Sequence, residues 1–120
     1  ELKNLGLKME KLEENTIIIF TSDNGPWLSY GGHSGSAGIF REGKGTNWEG
    51  GHRVPGIVYY PNKIKANTII DVPAMGIDWL PTIVEFTHSQ SPKNKIDGVS
   101  LVPLLTGNTD QSPHENFFFY

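Results

Sequence analysis

The 120-residue sequence contains no cysteine. That absence excludes disulfides, thiolate metal sites and a cysteine nucleophile within the chain. Basic side chains are also in short supply: 10 Lys and Arg stand against 13 Asp and Glu, for a formal net charge of −3. A nucleic-acid surface carries the opposite balance, so no nucleic-acid partner is expected. No apolar run approaches the roughly 20 residues that span a bilayer, and no membrane span is expected. The sequon N-x-S/T is absent. The first stretch, "ELKNLGLKMEKLEEN", is charged and helix-like rather than a signal peptide. The spacings H-x-x-x-H and H-E-x-x-H do not occur, which leaves a histidine-based zinc hydrolase unsupported. A nucleophile elbow, G-x-S-x-G, is lacking too.

Regular elements are few. Leu2, Leu5, Met9 and Leu12 recur at helical spacing and predict an amphipathic helix. Ile17 to Phe20 form a continuous apolar run that predicts a strand buried on both faces, as in a parallel sheet. Helix followed by buried strand is half of an α/β repeat, so the expected fold class is α/β. "RVPGIVYYP" reads as a second short strand, and Trp79 to Thr87 as a helix capped by Asp78, with Pro81 tolerated in its first turn. After the polar connection "HSQSPKNK", Asp97-Gly98 predicts a turn and Ser100 to Leu105 a short helix that Gly107 ends. Between the strands lies a long glycine-rich stretch, Gly25 to Gly51. Loops of that length inside compact domains are usually functional or disordered, and its aromatics and charges favour function. Both ends read as cut, the first inside a helical pattern and the last in the apolar run "ENFFFY".

Three places in this layout could carry chemistry. The strand "IIIF" leads into Thr21-Ser22-Asp23-Asn24-Gly25, and ligands of open α/β sheets bind beyond the carboxyl ends of strands. A carboxylate and an amide carbonyl are hard oxygen donors suited to Ca²⁺ or Mg²⁺. The plainer reading, Asp-Asn-Gly as turn chemistry, is favoured by these residues alone. "GIFREGK" matches the opening of a phosphate-binding loop, but Gly45 stands where Ser or Thr would hold Mg²⁺, and neither flank has the required strand or helix. Lys44 is left as a glycine-flanked ammonium able to meet a sulfate or phosphate, with a solvated surface lysine as the plainer alternative. His33 lies in the same loop and could reach a substrate. His52 and Arg53 read as a structural pair, and His88 and His114 as residues of connections.

In order along the chain, "IIIFTSDNGP", "SGSAGIFREGKGTNWEGGHRVPGIVYYP", "IDWLPTIVEFT" and "DGVSLVPLLTG" closely resemble the C-terminal part of the catalytic domain of type I sulfatases. These are the arylsulfatase-like members of the alkaline phosphatase superfamily. The resemblance covers nearly the whole chain, and residues 116–120 resemble the beginning of that family's small C-terminal sheet. It implies a partial alkaline-phosphatase-like mixed sheet flanked by helices and incomplete at both ends. It also implies that Asp23 and Asn24 are two ligands of a divalent cation, Ca²⁺ with Mg²⁺ as the alternative, and that Lys44 binds the sulfate group and assists catalysis. His33 falls near the family's substrate rim and is carried as a substrate-binding candidate. Arg53 matches a supporting arginine, whereas His52 receives no role.

The C/S-x-P-x-R motif from which such enzymes make formylglycine is absent here. The resemblance therefore implies that the formylglycine and the remaining metal ligands come from an N-terminal part of the same catalytic domain. The expected parent activity is hydrolysis of an aryl or carbohydrate sulfate ester, in an extracytoplasmic location: periplasmic, secreted or lysosomal. By itself the chain would hold half a site and be inactive. Two rival readings are a phosphate or phosphonate monoester hydrolase of the same superfamily and a non-enzymatic, Ca²⁺-stabilised module that binds sulfated glycans.

Overall fold

The structure is a computed structural model and describes residues 12–118. The helix predicted from Leu2, Leu5 and Met9 lies outside the described residues; Leu12 opens a 3₁₀ turn, Leu12–Asn15. The described residues fall into two compact units: one spans Thr16–Tyr59 together with Phe118, the other Leu12–Asn15 together with Tyr60–Phe117. Among the described residues no helix is long and apolar enough to cross a membrane.

In the Thr16–Tyr59 unit, β1 (Ile18–Phe20) pairs with β2 (Ile57–Tyr59). The β-branched and aromatic residues that favour a pleated surface account for both strands. Their pairing is antiparallel, with Ile18 opposite Tyr59, Ile19 opposite Val58 and Phe20 opposite Ile57. This corrects the parallel, doubly buried strand expected from the apolar run. Ile18 and Ile19 are half-buried, while Phe20 is exposed beside an exposed Ile57. Apolar continuity fixes the strand but not the direction of its neighbour, which the intervening loop decides. That loop is not irregular throughout: it holds a 3₁₀ turn, Leu28–Tyr30, and one helical turn, α1 (Glu49–His52).

The Tyr60–Phe117 segment is organised around α2 (Trp79–Thr87), where the sequence predicts it, and the short α3 (Val102–Leu105). Leu101, Leu104, Leu105 and Tyr60 are its buried apolar side chains, and Phe86 meets Tyr60 edge to face at 5.3 Å. Gly107, at φ 77°, ends α3 in the left-handed conformation that glycine adopts without strain.

Asp78 differs from its expected role. It ends a 3₁₀ turn, Gly76–Asp78, and its own backbone is already helical, so its side chain makes no capping bond to α2. A cap residue needs extended backbone to fold its side chain back over the first amides. Asp78 instead turns a fully buried carboxylate inward. Oδ2 accepts the Met75 N–H at 2.8 Å, Oδ1 accepts the Val99 N–H at 2.9 Å, and His114 Nε2 lies 2.8 Å from Oδ1. Beside it the buried Thr82 hydroxyl donates to the Asp78 carbonyl at 2.6 Å and accepts the Leu101 N–H at 2.8 Å. One acid and one threonine thus hold three stretches of chain together, 75–82, 99–101 and His114.

Losing such an acceptor leaves buried amides unpaired, at about 1–3 kcal/mol for each group. In the full-length protein, Asp78→Ala should lower unfolding free energy by about 3 kcal/mol or more. Asp78→Asn, which keeps one acceptor oxygen, should cost less. Urea denaturation followed by circular dichroism measures both, and equal stabilities for Ala and wild type would contradict the role.

Candidate functional site

A clasp of backbone on backbone builds the site, entirely within the Thr16–Tyr59 unit. The segment after β1 meets α1 through a hydrogen bond from the Gly25 N–H to the Gly51 carbonyl, 2.9 Å. Gly25 is buried, and a Cβ on it would overlap the Gly50 carbonyl oxygen. A second contact runs from the Lys44 N–H to the Pro26 carbonyl at 2.9 Å, and a third from the Gly50 N–H to the Arg41 carbonyl at 2.9 Å. A Cβ at Gly50 would overlap the Glu42 carbonyl. Three stretches far apart in sequence therefore close to a distance that only unsubstituted α-carbons allow.

This packing explains a helical turn where the sequence predicts none. Glycines at 50 and 51 disfavour helix by roughly 1 kcal/mol each. Here the turn exists because those glycines must approach neighbouring backbone, and Gly51 N–H to Trp48 O at 2.7 Å and Arg53 N–H to Glu49 O at 2.8 Å close it. The glycines around Lys44 also serve the backbone. Gly43 is buried against the Pro26 carbonyl and the Leu28 side chain, whereas Gly45 supplies a positive φ of 87°. Glu42, at φ 62°, holds a left-handed conformation that costs a non-glycine residue energy, directly before the Gly43-Lys44 pair. The Thr46 hydroxyl bonds back to the Gly43 carbonyl at 2.9 Å and braces the turn.

The clasp opens onto a cavity of about 690 Å³ whose lining includes Asp23, Asn24, Trp27, Ser36, Lys44 and Arg53. The acid, the amide and the lysine singled out from the sequence thus share one cavity. Asp23 and Lys44 are exposed and Asn24 is half-buried. Ser22 Oγ donates to the Asn24 carbonyl at 2.9 Å and lies 3.5 Å from Asp23 Oδ1, which fixes the turn that carries both donors. Among the described residues no carboxylate forms a salt bridge with the Lys44 ammonium.

Not every candidate comes to this cavity. His33 is exposed and does not line it; its ring meets Tyr30 edge-on at 4.8 Å. Arg53, read only as structural support, both lines the cavity and pairs with Glu49 at 3.1 Å, and its guanidinium sits 4.7 Å from the Phe40 ring centroid. The helical spacing of Glu49 and Arg53 was the signal for that pair. His52 lies 3.8 Å from the same carboxylate.

The donor chemistry fits a hard divalent cation in part. Asp23 and Asn24 offer adjacent oxygen donors facing one cavity, yet Ca²⁺ takes 6–8 oxygens. Among the described residues no group of three or more His, Cys, Asp or Glu could hold a metal ion. Two adjacent oxygens are fewer than such a shell needs, and the cationic side chains on the same lining are Lys44 and Arg53.

The family model described as Sulfatase matches residues 5–89. Steryl-sulfatase of Homo sapiens is 43% identical over 116 residues, 92% of this chain and 20% of that protein. Arylsulfatase A of Bos taurus is 41% identical over 105 residues, 88% of this chain and 20% of that protein. The crystal structure titled Ps i-CgsB in complex with k-i-k-neocarrahexaose superposes with a TM-score of 0.77 at 31% identity, covering 90% of this chain and 23% of that one. The chain spans about a fifth of the length of the curated relatives it matches.

If the clasp sets the site, a single methyl group at its centre should undo it. Gly25→Ala or Gly50→Ala should destabilise the full-length protein by about 3 kcal/mol, the upper range for overpacking. Gly56→Ala meets nothing within 4 Å and serves as the control, expected within about 0.5 kcal/mol of wild type. Thermal unfolding of the three variants provides the comparison.

Proposed function

We propose, since the chain belongs to the sulfatase family, that the full-length protein hydrolyses a sulfate ester, R–O–SO₃⁻, to an alcohol and inorganic sulfate. In this reading Asp23 and Asn24 are two oxygen ligands of a divalent cation, Ca²⁺ or alternatively Mg²⁺. Lys44 meets the sulfate group. His33 is a substrate-binding candidate at the rim, outside the cavity lining. The chain is the C-terminal portion of the catalytic domain, and residues 116–120 lead toward a small C-terminal sheet. Asn116 to Phe118 carry no strand, and 119–120 lie outside the described residues. The formylglycine nucleophile and the other ligands would come from the N-terminal part of the same domain, and an extracytoplasmic location follows from the resemblance.

The observation that supports this reading is the shared cavity of Asp23, Asn24 and Lys44. Hydrolysis at sulfur breaks the S–O bond, and its electron pair departs with the alcohol oxygen, which then takes a proton. A new S–O bond to the attacking oxygen forms as the old one breaks, and negative charge builds on the sulfuryl oxygens and the leaving oxygen. A bound cation supplies Lewis-acid stabilisation of charge on the sulfuryl group. An ammonium at Lys44 gains more from the developing charge than from the ground-state ester, and that difference accelerates the reaction. Arg53 lines the same cavity, with much of its charge offset by the Glu49 carboxylate it pairs with.

The rival readings are not favoured, since the matched family model and the curated relatives reported above are sulfatases. Direct comparison of 4-nitrophenyl sulfate with 4-nitrophenyl phosphate on the full-length protein should show turnover of the sulfate and little of the phosphate. Lys44→Ala should reduce kcat by about 10²-fold, the loss typical of one donor to a developing anion. Near-normal turnover in that variant would remove Lys44 from the mechanism.

A further inference from the structure

Trp27 directly follows the turn that carries Asp23 and Asn24, and it lines their cavity while remaining 56% exposed. Its indole stacks on Tyr30, with ring centroids 5.2 Å apart and planes 15° from parallel. Tyr30 in turn takes the His33 ring edge-on at 4.8 Å and 80°. The 3₁₀ turn Leu28–Tyr30 sets this series, closed by the Tyr30 N–H on the Trp27 carbonyl at 2.9 Å. Tyr30 is itself 57% exposed, so the rings brace one another rather than fill a core. The other tryptophan of the loop, Trp48, carries Arg41 at 3.8 Å and does not line the cavity.

We propose that Trp27, backed by Tyr30 and His33, is the shelf that receives a flat ring in the alcohol half of the ester. This rests on the sulfate-ester reading for its orientation: Lys44 takes the anionic end, and Trp27 lies in the same cavity for the group joined to it. An alcohol with an aromatic or fused-ring face fits that surface, and a short acyclic alcohol does not use it. Because Tyr30 already holds the indole, binding orders little that was loose before, and a preorganised aromatic surface gives contact at small entropic cost. His33 and Tyr30 are positioning residues in this arrangement, acting through the orientation of Trp27.

The test uses the full-length protein with Trp27→Ala and Trp27→Phe. Ring stacking of this kind supplies roughly a 10-fold effect. KM for 4-nitrophenyl sulfate should rise by about that factor in W27A with kcat little changed, and W27F should stay within about 2-fold of wild type. The inhibition constant of inorganic sulfate, which has no ring, should not move. An unchanged KM in W27A, or a sulfate inhibition constant that rises in step with KM, overturns the shelf. Should the wild type turn over no sulfate ester, the hydrolase reading fails separately. Binding of 2-naphthol, followed by its own fluorescence, then decides the shelf: binding lost in W27A upholds it, and binding unaffected by W27A removes it.

Discussion

The closeness of three backbones is the constraint on which the cavity depends. Gly25 and Gly50 pass carbonyl groups at distances that exclude a β-carbon, and hydrogen bonds from Gly25, Lys44 and Gly50 hold the passage closed. Asp23 and Asn24 stand just before the first of these glycines, and Lys44 itself donates one of the bonds. The candidate side chains are therefore positioned by main chain, with no need for packing of their own. That allows them to remain exposed and free to meet ligands while their α-carbons stay fixed.

The Tyr60–Phe117 segment solves a similar problem by other means. With one such glycine contact, Gly98 against the Ile77 carbonyl, it draws its loops together mainly with side-chain acceptors, the Asp78 carboxylate and the Thr82 hydroxyl. Both are fully buried polar groups among few buried hydrophobic ones. A small core leaves little apolar area to hold a loop, and hydrogen bonds to buried amides become correspondingly important.

What could be read in the sequence follows from these differences. The helix Trp79–Thr87 was legible because periodicity and proline placement are local signals. The two strands were legible as apolar runs, but their antiparallel direction was not, since pairing depends on a loop without periodicity. Asp78 looked like a cap because its partners, Val99 and His114, lie 21 and 36 residues away. Likewise, Asp-Asn-Gly reads as turn chemistry in a one-dimensional string, whereas Gly25, like Gly43, is a steric allowance for a neighbour that the string does not show. Asp23, Asn24 and Lys44 were individually ordinary, and only the ordered set of motifs raised them above a turn and a surface lysine.

Exposure decides what this portion of a site can do. Two unit charges about 4 Å apart interact by only about 1 kcal/mol in water, against about 4 kcal/mol at the effective dielectric near a protein surface. Asp23 and Lys44 are exposed in the chain as it stands, so an anion meeting Lys44 here would gain at the lower end of that range. Under the sulfatase reading, the same ammonium must face a reacting ester from which water has been largely removed, because only there does one donor contribute enough to matter for rate. Under that reading the chain brings fixed geometry, and the enclosure that would give its charges their strength has to come from outside it. This division follows from the electrostatics, since a positioned charge and a dry environment are separate requirements and the glycine clasp meets only the first.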